Sequence, residues 1–452
     1  MTELFKAYDL RGKVPEEWDE NTAFTIAQAY AVFMKKQSKK TSLKIVVGGD
    51  MRSSTPKLKE AITRGLLNQG VDVIDIGCVS TPAFYFGVAN NGYDGGLMIT
   101  ASHNPKGDNG IKFVKANAEP ISVNTGLKEI QKLTKQNNFK ETTQKGKTTN
   151  KSKVAEAQVE ASFAYANTKK IKPLKVVVDT ANGMGAQYVK LTFAKLPCKL
   201  IKMYFPFDGN FPNHEADPLK EENCEDLQKR VLKEKADLGI TTDGDGDRIF
   251  FVDDQGEIIE PAIIRGIIAK IVLRDHPGAT ICYDIRPGRI TEEMIKEARG
   301  IPVVTKVGHS LIKEKMKEVD AVYGGESSGH FFFKLDHGTY ETPVIMILKM
   351  LQEISESGIK ISEYIKPLRK YFHSGEINSD VENKEQKLEQ IENKYKDAKS
   401  INHLDGISIE YEDFWFNVRP SNTESKLRMA LEAKTKKIMQ QKRDELLKLI
   451  RS

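Results

Sequence analysis

Asp237-Leu238-Gly239-Ile240-Thr241-Thr242-Asp243-Gly244-Asp245-Gly246-Asp247-Arg248 is the stretch on which the reading of this chain turns. A short apolar, strand-like segment runs straight into three carboxylates that alternate with two glycines, and an arginine closes the run. Like charges at this spacing repel, so stability alone does not explain them. A hard divalent cation such as Mg²⁺ reverses that penalty, because it prefers oxygen ligands. Glycines let the backbone turn tightly enough to aim alternate side chains at one point. Two other readings stay open at this level. One is a solvated acidic turn, the common fate of Asp/Gly clusters. The other is a calcium loop, although the EF-hand pattern asks for a Glu at its twelfth position and for flanking helices, and neither is clear here.

Working outward, the order of strand then polar, glycine-bearing loop recurs three times. Lys44-Ile45-Val46-Val47-Gly48 precedes Asp50 and Arg52, Lys175-Val176-Val177-Val178-Asp179 precedes Asn182-Gly183, and Thr280-Ile281-Cys282-Tyr283-Asp284 precedes Arg286 and Gly288. A second strand follows in each unit, at Val71 to Ile76, Leu200 to Phe205 and Pro302 to Val307. Each unit then has a third strand and a loop: Ser102-His103-Asn104, the Asp243 run, and Glu326-Ser327-Ser328-Gly329-His330. Strands alternating with helical patterns predict mixed α/β layers, which place ligands at strand C-termini. Gln136 to Ser152 is polar and reads as an exposed connection; further boundaries fall near Asp254-Gln255-Gly256 and Lys366-Pro367. Four domains follow: 1–150, 151–255, 256–367 and an α+β tail at 368–452. The tail alternates strands at Ile407 to Tyr411, Phe414 to Val418 and Leu427 to Leu431 with charged helices at Lys384 to Ala398 and Thr435 to Ile450.

Composition narrows the function classes. The chain has 452 residues, 39% hydrophobic and 29% charged, which is ordinary for a soluble globular protein. No apolar run approaches the roughly 18 residues of a spanning helix; the best candidate, Ala262 to Leu273, is broken by Arg265 and Lys270. No secretory signal is visible. Four scattered cysteines, with no CxxC pair, argue against a disulfide framework or zinc site and fit a reducing cytoplasm. A net charge of +6 suits an anionic small substrate better than a nucleic-acid groove. We therefore expect no nucleic acid and no membrane partner, with a monomer or homodimer in the cytoplasm.

Taken singly, the polar loop residues have ordinary readings. Ser102 is a turn serine, since a hydroxyl is a poor nucleophile without a base or metal. His330 is a loop histidine or, with its near-neutral pKa, a proton carrier. Lys112 and Arg286 are surface cations, Glu326 half of an ion pair, and Arg419-Pro420-Ser421-Asn422-Thr423-Glu424 a type-I turn.

Taken together, five loops resemble one family, the α-D-phosphohexomutases. Its YDIRG element appears as Tyr8-Asp9-Leu10-Arg11-Gly12, its phosphoserine loop as Thr100-Ala101-Ser102-His103-Asn104-Pro105, and its metal loop as Asp243 to Arg248. Its sugar-recognition loop appears as Gly325-Glu326-Ser327-Ser328-Gly329-His330 and its phosphate loop as Arg419 to Glu424. The motifs run in family order over nearly the whole chain. Asn422 favours the phosphomannomutase/phosphoglucomutase branch over the phosphoglucosamine mutases, which usually carry Gly there. Ser327 and Ser425 depart from the family's common Met and Pro.

The resemblance implies three related mixed-sheet α/β domains and a smaller α+β C-terminal domain around a central cleft. Domain by domain they carry the phosphoserine loop, the metal, the sugar-recognition loop and the phosphate loop. It implies reversible conversion of hexose 1-phosphate and hexose 6-phosphate through phospho-Ser102 and a hexose 1,6-bisphosphate. Mg²⁺ is then bound by Asp243, Asp245, Asp247 and an oxygen of the Ser102 phosphate, a group that carries about −1.5 to −2 charge. Arg11 stabilises charge, because an arginine is a poor base. His330 moves protons, and Lys112 does so if a nearby metal lowers its pKa. Tyr8, Arg248, Arg286, His309, Glu326, Ser328, Arg419, Ser421, Asn422 and Thr423 contact the phosphosugar, with Glu326 and Ser328 at O3 and O4. The rivals are a Mg²⁺-dependent sugar phosphatase and a silent phosphosugar-binding paralogue.

Overall fold

The computed structural model describes residues 4–140, 142–421 and 426–452. It divides into two compact units, Met1–Ile259 with Ser328–Ser362, and Glu260–Ser327 with Glu363–Ser452.

The first unit holds two sheets. One has six strands in the spatial order Asp9–Lys13, Asp108–Lys115, Gly95–Ile99, Lys44–Gly49, Asp72–Cys78 and Thr148–Asn150. The first two pairings are antiparallel and the rest parallel. Side chains alternate across a strand, so a sheet covered on both faces needs apolar residues at every position. Lys44–Gly49 shows this. Ile45 and Val47 pack with Ile26, Tyr30, Phe33, Leu58 and Ile62 on one face, and Val46 packs with Phe84, Val88 and Met98 on the other. The helix Glu20–Ser38 presents Ile26, Tyr30 and Phe33 at helical spacing, and Asp19 caps it by accepting from Thr22 N at 2.9 Å. The polar stretch read as a connection also contributes the edge strand Thr148–Asn150. Its three side chains are all exposed, so backbone pairing alone holds it and no apolar pattern marked it.

The second sheet has the order Ile249–Val252, Leu238–Thr242, Lys175–Asp179, Lys199–Met203, with the first pairing antiparallel. The hairpin Phe331–Leu335 and Gly338–Glu341 and the apolar helix Pro343–Ser357 also belong to this unit.

In the second unit, Thr280–Asp284 lies between Ile301–Thr305 and Tyr323–Gly325, all parallel. The C-terminal sheet is wholly antiparallel, ordered Phe372–Asp380, Lys426–Ala433, Phe414–Pro420, Ile407–Glu410, Ser400–Asn402. Helices Lys384–Lys394 and Lys436–Arg451 share its core through Ile391, Leu446 and Ile450. Among the described residues, no helix is long and apolar enough to cross a membrane.

Candidate active site

Ser102 follows the strand Gly95–Ile99 and is 2% exposed. Its φ of +53° lies in the left-handed region that non-glycine residues avoid, at a cost of about 1–2 kcal/mol. The surroundings impose that conformation. Ser102 N donates to Thr100 Oγ1 at 2.9 Å, Ser102 O accepts from Arg52 Nη2 at 2.9 Å, and Ser102 Oγ donates to Asp243 Oδ2 at 2.7 Å. The metal-like loop comes so close that a Cβ at Gly244 would sit 2.5 Å from Ser102 O, so only glycine fits there.

Asp243, Asp245 and Asp247 are buried, and their carboxylate oxygens converge within 4.8 Å of one another. Asp243 Oδ1 accepts from the backbone of Asp247 and Arg248, each at 3.1 Å. Asp245 Oδ2 accepts from Thr81 Oγ1 at 2.7 Å and pairs with Lys112 Nζ at 2.8 Å, and Asp247 pairs with the same ammonium. Burial and the neighbouring Asp245 and Asp247 charges hold the Asp243 carboxyl well above its usual range. Burial would also raise Asp247, but Lys112 and His330 outweigh it and hold that carboxyl well below. Asp245 Oδ1 is buried with no hydrogen-bond partner. Three converging carboxylates, one with an oxygen unsatisfied, make a donor set that fits a hard divalent cation. Burial alone would lower the Lys112 pKa, but Asp245 and Asp247 hold it well above the usual value. With these partners its ammonium keeps the proton.

Arg11 lies on the edge strand, opposite Gly110 in the register that also sets Asp9 opposite Lys112. Its guanidinium donates to Asp9 at 2.8 Å, Ala101 O at 3.1 Å and Asn104 Oδ1 at 2.6 Å. Burial opposes its charge, and Asp9 more than compensates, so it stays cationic. Tyr8 is half-buried just before that strand. His330 Nε2 lies 3.2 Å from Asp247 Oδ1 and 3.4 Å from Arg248 Nε, and Nδ1 lies 3.1 Å from Ser328 Oγ. Arg248 Nε donates to Nε2 when that nitrogen is unprotonated, and a proton on Nε2 turns the ring toward pairing with Asp247 instead, so the two contacts alternate with the ring's protonation. Arg248 Nη1 is buried without a partner, a cationic donor in need of an acceptor.

The second unit carries the other set. Glu326 is 1% exposed and accepts from Gly308 N at 2.7 Å, which ties it to the start of the helix His309–Glu318. Arg286, for which an exposed surface position is the commoner expectation, is largely enclosed. Its Nε donates to buried Asp284 at 2.5 Å, and its Nη2 is buried and unpartnered. Burial disfavours its charge, but Asp284, Glu326 and Glu376 raise its pKa beyond the usual value. Arg419, on Phe414–Pro420, donates to Glu376 Oε2 at 2.6 Å. Ser421 is buried, and Asn422 and Thr423 lie outside the described residues.

The structure thus brings Ser102, Arg11, Lys112, the three aspartates, Arg248, Ser328 and His330 into the first unit, and Arg286, His309, Glu326, Arg419 and Ser421 into the second. Sequence reasoning passed over several side chains that hold these. Arg52 grips the Ser102 loop, Thr81 and Asn104 bond Asp245 and Arg11, and Glu376 pairs with Arg419. Buried Glu341 joins Asp247 and His330 within 4.8 Å. Arg52 had a visible signal, a charge just after a buried strand; the others look like ordinary polar residues.

Comparison with known proteins closes the identification. The phosphoglucomutase/phosphomannomutase α/β/α domain I, II and III models match residues 2–141, 154–256 and 261–371, and the C-terminal domain model matches 376–449. A phosphomannomutase of Vibrio cholerae is 38% identical, over 100% of this chain and 99% of its own. The chain belongs to the phosphoglucomutase/phosphomannomutase family. A phosphomannomutase of Escherichia coli K12 is also 38% identical, covering 95% of this chain and 94% of the relative. The crystal structure of a family protein from Burkholderia thailandensis superposes with a TM-score of 0.89 at 31% identity, covering 99% and 97% of the two chains. The open form of parafusin from Paramecium shares the fold alone, with a TM-score of 0.79 at 15% identity over 99% and 94%.

Proposed function

We propose that this chain is a phosphomannomutase/phosphoglucomutase, an isomerase that moves a phosphoryl group between O1 and O6 of a hexose through phospho-Ser102. The observation that carries this is Ser102 itself, buried, held in a strained conformation and hydrogen-bonded at 2.7 Å to one of three converging carboxylates. Strain of this kind persists where the surroundings over-determine it, as they do at functional sites.

Asp243, Asp245, Asp247 and a phosphate oxygen on Ser102 would hold Mg²⁺, which neutralises phosphoryl charge and orients the group for transfer. The protein's own groups do the rest. The bond from phosphorus to Ser102 Oγ breaks as a bond to the sugar hydroxyl oxygen forms; the hydroxyl proton passes to His330, and the departing Ser102 Oγ takes up a proton in turn to become the hydroxyl that donates to Asp243. Arg11, Lys112 and Arg248 stay cationic and stabilise the transferring group. The resulting hexose 1,6-bisphosphate turns over, and its other phosphoryl group returns to Ser102. Glu326, Ser328, His309 and Arg286 recognise the sugar, and Arg419, Ser421, Asn422 and Thr423 hold the phosphate that is not reacting. Tyr8 completes the substrate contacts. The domains are read as 1–150, 151–255, 256–367 and 368–452, which the ranges of the four family matches support. We read the enzyme as a cytoplasmic monomer or homodimer.

The test is a mutase assay with glucose 1-phosphate, mannose 1-phosphate and glucosamine 1-phosphate, each with its bisphosphate, beside intact-mass analysis. Activity that needs Mg²⁺ and bisphosphate, with a phosphate adduct on the Ser102 peptide, is the expected result. Full activity in Ser102→Ala, or phosphate release without isomerisation, overturns the reading. Preference for glucosamine 1-phosphate would move the chain to the phosphoglucosamine mutases.

A further inference from the structure

Arg52 is 3% exposed, and a buried guanidinium is costly unless all five N–H groups find acceptors. Four of them do. Nη1 donates to Pro105 O at 2.8 Å and Asp108 O at 3.0 Å, and Nη2 donates to Ser102 O at 2.9 Å and Asn104 O at 2.6 Å. Nε makes no hydrogen bond and is ion-paired with Asp50 Oδ2 at 3.3 Å. All four hydrogen-bond acceptors belong to residues 102–108, so the plane of this guanidinium fixes the path of the Ser102 loop. Ser102 needs such an outside hold, because its backbone conformation is not one it adopts freely.

Both terminal nitrogens of that plane are satisfied within the first sheet's own loops, but one face is covered from elsewhere. The Phe211 ring, from the segment that follows Lys199–Met203 of the second sheet, lies 5.1 Å from the Arg52 guanidinium carbon. The approach is built for contact. A Cβ at Gly209 would fall 2.7 Å from Arg52 Cα, and Phe211 packs with Ala181, Ala216 and Met51. The segment is moored to the second sheet. Asp208 N donates to Asn182 O at 3.0 Å, Asn213 Nδ2 to Asn182 Oδ1 at 2.8 Å, and His214 Nε2 pairs with Asp179 Oδ2 at 3.0 Å. Phe211 itself holds a φ of +51°, so its ring is placed at a conformational cost.

We infer that Phe211 is a positioning residue for the nucleophile: its ring clamps the face of Arg52, and Arg52 in turn sets the Ser102 loop. The inference rests on the proposed role of Ser102. An aromatic face over a desolvated guanidinium attracts it and blocks tilting, whereas an aliphatic chain of similar bulk fills space without the directional attraction. A nucleophile displaced by about 1 Å loses up to roughly 100-fold in rate.

The experiment compares Phe211→Leu, Phe211→Tyr, Ser102→Ala and wild type in full-length enzyme. Phe211→Leu should lower kcat, and the single-turnover rate from phospho-Ser102, by about 10- to 100-fold. KM for the hexose phosphate should stay within about 2-fold, and Phe211→Tyr should restore most of the rate. Unchanged kcat per folded enzyme in Phe211→Leu, even with a lower melting temperature, refutes the inference, as does a loss confined to KM. Should Phe211→Leu not fold, Phe211→Met and Phe211→Tyr, scored as kcat per folded enzyme, decide in the same way. An active Ser102→Ala would instead overturn the functional reading beneath it.

Discussion

At the scale of single residues, charge pairing decides what each cation can do. Arg419 illustrates it: its guanidinium is charged, 5% exposed and already bonded to Glu376, which also takes Arg428 Nη1 at 3.4 Å. Burial would raise the Glu376 carboxyl, but Arg419 and Arg286 hold it low, so it stays an anion that aims Arg419. A phosphate bound by Arg419 shares this carboxylate's partner. Replacing Arg419 with Ala removes a charge-assisted contact of roughly 1.5–3 kcal/mol, or about one to two decades in kcat/KM. Arg419→Lys should recover part of it, because the planar fork is lost. Both the 1-phosphate and the 6-phosphate directions should fall together, since they share one equilibrium. Initial rates in each direction check this, and unchanged kcat/KM in both would reduce Arg419 to a structural ion pair.

At the scale of elements, the strands that carry the loops and the second strands paired with them were legible, and the polar edge strands were not. Runs such as Lys175–Asp179 and Thr280–Asp284 declare themselves because both faces of a parallel strand are apolar. Phe372–Asp380 carries mostly polar and half-exposed residues at a sheet edge, so its pairing with Lys426–Ala433 left no apolar signature. That pairing places His373 opposite Glu432, a fully buried carboxyl whose oxygens find no hydrogen bond. Burial pushes Glu432 up to about 7, against the pull of Arg289, and burial with Arg265 pushes His373 down to about 4. The signs oppose. Between about pH 4.5 and 6.5 the folded protein gains a proton on Glu432 and lacks one on His373, so the pair leaves stability nearly flat. Glu432→Gln removes one side of the balance. Its melting temperature relative to wild type should rise as pH goes from about 4.5 to 7, by up to about 3 kcal/mol in stability. Thermal scans across that range measure it, and a constant offset between the two proteins would show that Glu432 does not titrate there.

At the scale of the molecule, the three strand-then-loop repeats and the distinct tail gave the architecture, and the five loops gave the family. Some long-range partners were hidden, because Glu341 and Glu376 acquire meaning only from residues far along the chain. The order of the chain carries a further consequence. The first unit is interrupted: its hairpin Phe331–Leu335 and Gly338–Glu341 and its helix Pro343–Ser357 come after the 68 residues Glu260–Ser327, which belong to the other unit. That helix is buried along most of its length, so without it the first unit lacks part of its core. On the ribosome, therefore, the first unit should complete its packing only after Ser362 emerges. Chains ending at Ile259 should be degraded rapidly in pulse proteolysis, and chains ending at Ser362 should show a protected fragment. Equal resistance in the two would mean that the early half matures as it leaves the ribosome.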